Sequence, residues 1–95
     1  NRLTKNEIKK ILILQLQGIK DLLKPRKILL DLDNKAQNWI INEGFSESYG
    51  ARPLKRIIQN FISDKIAYMI MSGEIKNDQT LFVTTRNNEL KFEIK

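Results

Sequence analysis

The amino-acid sequence predicts an α/β domain of the α+β kind, with three to four helices packed on a small three-stranded sheet. Apolar residues recur at three- and four-residue steps over 8–23 and again after position 53, as in amphipathic helices. Two short apolar runs, 81–83 and 90–94, flank Asn87 and Asn88, which tolerate the positive φ of a hairpin turn. Since an isolated hairpin is only marginally stable, a third strand is expected to join it. The length of 95 residues fits a single domain, 1–95.

The first helix is predicted to begin after Thr4. Thr4 is a good N-cap, and Glu7 stands three residues later, which is the spacing of a capping box. The apolar stripe that follows runs for about five turns. Its members are Ile8, Ile11, Leu12, Leu16, Ile19, Leu22 and Leu23. Pro25 is expected to end the helix by pushing the residue before it out of the helical region. Ile13 and Leu14 lie outside the narrowest stripe, which indicates a second contact face.

A short strand and a second helix are predicted next. The run from Lys27 to Leu32 alternates apolar residues, as in a strand that is buried mainly on one face. Asp33 is placed to cap the following helix, and Gly44 to stop it. The apolar side of that helix holds Ala36, Trp39 and Ile40, with Ile41 as a further candidate. Trp39 is interpreted as a core anchor, because large aromatic residues at helical spacing usually pack.

After Pro53 the pattern predicts either one long helix or two. The residues expected to face inward first are Leu54, Ile57, Ile58, Phe61 and Ile62. Ser63 or Asp64 would cap a separate second helix that ends at Gly73. Its apolar side would consist of Ile66, Ala67, Met69 and Ile70.

The entrance to this helix, Tyr49 to Arg56, predicts an anion-binding site. Pro53 has a fixed φ near −65° and no N–H, so it suits the first helical position. Gly50 supplies a flexible hinge before it. Ala51 is small where a bulky residue would block close approach to the backbone, which leaves room for a ligand.

Cations crowd the positive end of the same helix. Arg52, Lys55 and Arg56 lie where acidic residues are normally found, and no acid stands in the first turn. Free N–H groups and guanidinium groups together favour an anion, and phosphate is the commonest one bound this way. The alternative is that Glu47 or a distant acid pairs with Arg52, while the other two cations are solvated.

Composition excludes several kinds of chemistry for this chain. There is no Cys and no His, so disulfides, the usual zinc ligand sets and Cys- or His-based nucleophilic catalysis are absent. No Gly-rich phosphate loop or apolar strand ending in paired acids occurs, so the chain is not expected to hydrolyse a nucleotide alone. No membrane span is predicted, because the longest near-apolar run, Ile11 to Leu16, is short and contains Gln15.

The net charge of +6 leaves a second function open. A stand-alone basic module would bind an acidic protein or a nucleic acid. The 17 Lys and Arg residues are scattered, however, which favours solubility over a nucleic-acid surface. Phe82 and Phe92 beside Lys91 and Arg86 are the nearest approach to an aromatic and basic surface, and core packing explains the two rings better.

The run from Gly44 to Gln59 resembles the sensor-2 segment of the Clp-type AAA+ unfoldases, most closely that of the ClpB disaggregases. The runs 11–16 and 72–75 fit the same family. The resemblance implies that residues 1–95 are the small C-terminal lid subdomain of the second ATPase module, without the large subdomain. ClpC- and ClpA-type unfoldases, which feed a protease, carry closely similar segments and remain an alternative.

The same resemblance implies the roles of the site residues and the partners. Arg52 would be the sensor-2 arginine, the catalytic contact to the γ-phosphate of ATP, and Gly50 and Ala51 would line the nucleotide beside it. The large subdomain would hold ATP and Mg²⁺, and this chain would hold no metal. The implied partners are the protein's own large subdomain, a neighbouring protomer in a homohexamer, and unfolded or aggregated client proteins, with neither nucleic acid nor membrane. The location is left open between the cytoplasm and a mitochondrial or plastid-like matrix.

Overall fold

The computed structural model describes residues 4–44 and 53–95. Helix α1 (Lys5–Leu23) leads through a 3-10 turn (Lys24–Arg26) into strand β1 (Leu29–Leu32) and helix α2 (Asn34–Gly44). Helix α3 (Leu54–Ile58), a π-helical turn (Gln59–Ser63) and helix α4 (Asp64–Ser72) follow, and then strands β2 (Thr80–Arg86) and β3 (Glu89–Ile94). The predicted α+β class, with helices on a three-stranded sheet, is confirmed.

The sheet has the order β1-β2-β3 and is mixed. β1 runs parallel to β2, with Leu30 opposite Leu81, and β2 runs antiparallel to β3, with Val83 opposite Phe92. The predicted turn between β2 and β3 is confirmed. Asn87 and Asn88 have φ of 55° and 63°, which a two-residue hairpin turn of type I′ requires at both positions.

The core lies between the helices and one face of the sheet. Its most deeply buried large side chains are Ile8, Leu12, Ile40, Leu54, Ile62, Leu81 and Val83. Leu29 points to the other face and is 67% exposed, as the alternation in β1 predicted. Among the helices that the structure describes, none is long and apolar enough to cross a membrane.

Helix α1 begins as predicted and ends by a different route. The hydroxyl of Thr4 accepts a hydrogen bond from the N–H of Glu7 at 3.2 Å, and the carboxylate of Glu7 accepts the N–H of Thr4 at 3.2 Å. The residue before Pro25, Lys24, keeps helical angles (φ −55°, ψ −45°), so the prediction that it leaves the helical region was wrong. The proline continues the chain into the 3-10 turn instead, and the chain turns away at Lys27, whose φ is 57°.

The apolar stripe of α1 is correct except at its end. Leu23 is buried, whereas Leu22 is 79% exposed, so its predicted place in the stripe was wrong. Neighbouring helical residues point about 100° apart, so only one of the two leucines can enter the core in the last turn. Ile13 and Leu14, predicted to form a second face, are also exposed.

Helix α2 is fixed at its N-terminus by Asp33 and at its middle by Trp39. The Asp33 carboxylate accepts a hydrogen bond from the N–H of Ala36 at 2.8 Å, as predicted for a cap, and also the hydroxyl hydrogen of Thr84. Trp39 is only half-buried, and its indole N–H donates to the carbonyl oxygen of Asn88 at 2.9 Å. Its ring meets that of Phe61 edge to face, with the centroids 5.3 Å apart. Trp39 therefore anchors α2 to the hairpin turn and to the π-helical turn, at the margin of the core.

The Asp33 cap is expected to make stability depend on pH. Burial alone would raise the pKa of Asp33, but the hydrogen bonds from Thr84 and Ala36, with Lys35 nearby, lower it below its ordinary value. The unfolded chain therefore binds the proton more readily, and the stabilisation is present above about pH 4 and lost as the pH falls through the folded pKa. Asn keeps a capping oxygen but loses the charge, so Asp33→Asn is expected to lower the free energy of unfolding at pH 7 by about 1 kcal/mol, the difference between a charged and a neutral hydrogen bond, and by less at pH 3.

Urea unfolding of the 95-residue chain, followed by circular dichroism at both pH values, measures this difference. Asp31→Asn makes the same chemical change on the exposed face of β1 and serves as the control. It is expected to shift stability by less than about 0.5 kcal/mol. An Asp33→Asn deficit of the same size at pH 3 and pH 7 would show that the cap does not act through the carboxylate charge.

The choice between one helix and two after Pro53 is decided in favour of one. Ser63 has helical angles (φ −62°, ψ −47°) and its side chain makes no capping hydrogen bond, so neither Ser63 nor Asp64 starts a new helix. The N–H of Asp64 instead bonds to the carbonyl oxygen of Gln59, five residues back, as in a π-helix. The helix ends at Gly73, which has φ 80°, as predicted for a C-terminal glycine.

The π-helical turn explains which side chains face the core. Leu54, Ile58, Ile62 and Ile66 are all buried, at strict four-residue steps. In an α-helix each such step overshoots a full turn by about 40°, so three steps would carry Ile66 to another face. The π-helical turn holds more residues per turn than an α-helix, and it therefore offsets this rotation and keeps Ile66 on the buried face. It also leaves Phe61 44% exposed, so its predicted inward position was wrong, and Ala67 is exposed as well.

Candidate functional site

The predicted anion site, Tyr49 to Arg56, lies partly outside the residues that the structure describes. Gly50, Ala51 and Arg52 fall outside the described residues, as does Glu47, the alternative partner of Arg52. The predicted roles of these residues stay predictions. What the structure describes is the helix start that follows them and the end of α2 that precedes them.

Pro53 prepares the start of the long helix. It occupies the N-cap position with φ −71° and ψ −12°, and α3 begins at Leu54, one residue later than predicted. The difference is small, because the carbonyl oxygen of Pro53 already accepts the N–H of Ile57 at 3.1 Å. Arg52 is therefore joined directly to a residue whose backbone is already helical.

The first turn of this helix is cationic and open to solvent. Lys55 and Arg56 are exposed, and the turn contains no acidic residue. Within the described residues, the ion pairs join Lys24 to Asp21 and Lys91 to Glu93, away from this turn. Two exposed cations at the positive end of a helix, in a turn without an acidic residue, attract an anion, and a phosphate fits this environment better than a metal ion.

The end of α2 touches the start of the long helix. A Cβ atom placed on Gly44 would lie 2.8 Å from Cδ1 of Leu54 and 2.9 Å from its Cα. Carbon atoms in contact normally stand about 3.5–4.0 Å apart, so only glycine fits at position 44 in this arrangement. The two described ends of the segment 45–52 are thus held side by side.

Sequence reasoning missed this role of Gly44. A glycine at a helix end is explained by the end itself, which is how Gly44 was interpreted. Its contact with Leu54 is a tertiary feature, and no local pattern in one sequence distinguishes the two reasons.

Grooves away from the helix start also occur among residues 4–44 and 53–95. One, of 340 Å³, is lined by Asn6, Lys9, Asn38, Ile41 and Asn42. Another, of 500 Å³, is lined by Trp39, Asn60, Phe61, Lys65, Asn88, Glu89, Leu90 and Phe92. Neither includes Lys55 or Arg56. Among the described residues, no group of three or more His, Cys, Asp and Glu side chains could hold a metal ion.

The aromatic residues of the sheet lie on opposite faces. Phe92 packs against the core, as predicted, but Phe82 lies on the outer face, where the Nζ atom of Lys95 stands 4.2 Å from its ring centroid. The prediction of core packing was therefore wrong for Phe82. Single-stranded nucleic acids are bound by several aromatic rings in succession, and the Phe82 ring beside Lys95 does not by itself form such a succession.

Comparison with known proteins identifies the family to which the chain is similar. A family model described as the C-terminal, D2-small domain of ClpB protein matches residues 3–83. Relatives named Chaperone protein ClpB are 42% identical over 95 residues in Agrobacterium fabrum, 38% over 94 in Rickettsia bellii and 39% over 95 in Rhodopseudomonas palustris. These alignments cover 99–100% of this chain but 11% of each relative.

Proposed function

Because this chain belongs to the family of C-terminal D2-small domains of ClpB proteins, we propose that it is the lid subdomain of an ATP-dependent chaperone that remodels aggregated proteins. The large subdomain of the same protein binds ATP and Mg²⁺ and hydrolyses the nucleotide. The lid packs beside that nucleotide and closes on it. The family match over residues 3–83 carries this proposal, because it spans the predicted Arg52 site and nearly every helix and strand.

Arg52 is the contact through which the lid senses ATP. A guanidinium group presents a planar fork of N–H donors that matches the oxygens of a phosphate. The described surroundings support this role, since a helix starts after Pro53, the residue that follows Arg52. Lys55 and Arg56 add exposed positive charge in a first turn that contains no acidic residue. A hydrogen bond between charged groups is worth about 1.5–3 kcal/mol, and it favours the closed arrangement only while the γ-phosphate is present.

The long helix carries that contact into the lid as a whole. It continues from Leu54 to Ser72, and Leu54, Ile58 and Ile62 are buried in the core. A displacement of its first turn, caused by the contact between Arg52 and the phosphate, is therefore transmitted to the core. We expect α1, α2 and the sheet to move with the helix. In this way loss of the γ-phosphate on hydrolysis changes the angle between the two subdomains.

Exposed apolar side chains fit a subdomain that works inside a larger assembly. Ile13 and Leu14 on α1 are 50% and 73% exposed, and Met71 on α4 is 87% exposed. The partners that we propose for these surfaces are the large subdomain of the same protein and a neighbouring protomer of a homohexamer. Client proteins are engaged by the complete ring, through residues outside this chain.

The proposed function is tested with the full-length protein and a heat-aggregated model enzyme. We expect recovery of soluble, active enzyme that requires ATP and stops when a non-hydrolysable analogue replaces it. The 95-residue chain alone is the control, and it is expected neither to hydrolyse ATP nor to restore the enzyme. Failure of the full-length protein to hydrolyse ATP, or recovery that is independent of ATP, would refute the proposal.

A further inference from the structure

We propose that Gly44 is a positioning residue for Arg52. By letting the end of α2 touch the start of the long helix, it sets the point from which Arg52 reaches toward the nucleotide. This inference rests on the proposed function, since it assumes that Arg52 contacts ATP.

The contact between Gly44 and Leu54 leaves no room for a side chain. A Cβ on Gly44 would stand 2.8 Å from Cδ1, 2.9 Å from Cα and 3.3 Å from Cβ of Leu54. The Cδ1 atom can rotate away, but Cα belongs to the backbone and cannot. Relief of that second contact requires a backbone shift of about 0.5–1 Å, given ordinary carbon–carbon separations.

The start of the long helix lies directly against this contact. Helix α2 is held by its buried Ile40 and by the hydrogen bond from Trp39 to Asn88. The long helix is held by Leu54, Ile58 and Ile62, which are 1%, 3% and 0% exposed. A Cβ at position 44 therefore pushes on the first turn, where Leu54 is the first helical residue.

Along the chain, Arg52 is joined to this first turn by Pro53. Two residues span at most about 7 Å of chain, and the proline ring fixes one of the intervening torsions. A shift of Leu54 Cα is therefore carried to the point where Arg52 is attached. Because charged hydrogen bonds hold their atoms about 2.7–2.9 Å apart, an error of about 1 Å at a phosphate contact loses much of its energy.

The chain provides a matched control in Gly18. It lies within α1, and a Cβ placed on it would meet nothing within 4 Å. Alanine at Gly18 adds the same methyl group and favours the helix by about 1 kcal/mol. Gly18→Ala therefore reports the effect of the substitution type without the steric contact.

The test uses the full-length protein with Gly44→Ala, Gly18→Ala, Arg52→Ala and the double variant Gly44→Ala/Arg52→Ala. Titration with a fluorescent ATP analogue gives nucleotide affinity, and thermal unfolding without nucleotide gives stability. We expect Gly44→Ala to weaken binding about 3- to 10-fold. The double variant should bind no more weakly than Arg52→Ala, because residues that act as one unit are not additive. Gly18→Ala should bind as the unchanged protein does.

Three results would overturn the inference. Unchanged affinity in Gly44→Ala, together with weakened affinity in Arg52→Ala, rejects the positioning role and leaves the proposed function standing. If Gly44→Ala weakens nucleotide affinity by the same factor in the Arg52→Ala variant as in the unchanged protein, Gly44 acts independently of Arg52. Unchanged affinity in Arg52→Ala rejects the proposed contact itself, and this inference with it.

A purely structural role predicts a different pattern. If Gly44→Ala unfolds the protein, Leu54→Val in the same chain removes the Cδ1 contact and leaves the backbone contact in place. We expect this second variant to recover folding while nucleotide affinity stays reduced. Recovery of both together would show that Gly44 serves only packing.

Discussion

Replacement of Arg52 by alanine in the full-length protein is expected to weaken ATP binding or slow ATP turnover by about 10- to 100-fold. That range corresponds to about 1.4–2.7 kcal/mol, which is the size expected for one hydrogen-bonded contact between charged groups. The physical reason is that removal of the guanidinium leaves the γ-phosphate without the donor that the lid supplies. Steady-state ATPase rates and nucleotide titrations measure the two effects separately.

Lys55 and Arg56 supply the controls for this experiment. Each is an exposed cation in the helical turn that follows Arg52, and that turn holds no acidic residue. Lys55→Ala and Arg56→Ala remove the same charge as Arg52→Ala but are expected to change nucleotide affinity by less than about threefold, with an effect that fades as salt is added. Equal losses in all three variants would indicate a general positive field in place of a specific contact.

Arg52→Lys separates charge from geometry. Lysine keeps the positive charge but lacks the planar fork that binds two phosphate oxygens. We expect it to recover only a minor part of the loss in Arg52→Ala. Full activity in Arg52→Lys, or unchanged binding and turnover in Arg52→Ala, would contradict the assignment of Arg52 as the ATP sensor.

The features of the fold that the sequence predicted correctly depend on neighbouring residues. Thr4 and Glu7 form a capping box within one turn of helix, Asp33 caps α2 three residues away, and Asn87 with Asn88 sets the hairpin by their own φ angles. Each follows from the chemistry of the residue and its spacing. Such features can be predicted from one sequence because nothing distant competes with them.

The errors arise where a distant contact or a change of helix type decides. Phe61 fits an α-helical stripe, but the π-helical turn rotates it outward against Trp39. The hydrogen bond from Trp39 to Asn88 joins residues 49 positions apart in the chain. Arg52 could be proposed from its motif, whereas the contact of Gly44 with Leu54 depends on how the two helices pack together.

The π-helical turn leads to a prediction about two adjacent residues. Ile62→Ala is expected to lower the free energy of unfolding by about 2–5 kcal/mol, because Ile62 is 0% exposed and its loss leaves a cavity. A domain of this size has roughly 5–15 kcal/mol of stability in total. Urea unfolding of the 95-residue chain, followed by circular dichroism, measures the change.

Phe61→Ala is the matched comparison, and it is expected to cost only about 1–2 kcal/mol although it removes more atoms. Phe61 is 44% exposed and contributes mainly its edge-to-face contact with Trp39, a kind of pair worth about 0.5–1.5 kcal/mol. An uninterrupted α-helix with Phe61 facing inward would reverse the order, since a buried Phe→Ala change costs about 3–5 kcal/mol. A larger loss for Phe61→Ala than for Ile62→Ala would therefore mean that Phe61 faces the core more fully than Ile62, as it would in a helix that lacks the π-helical turn.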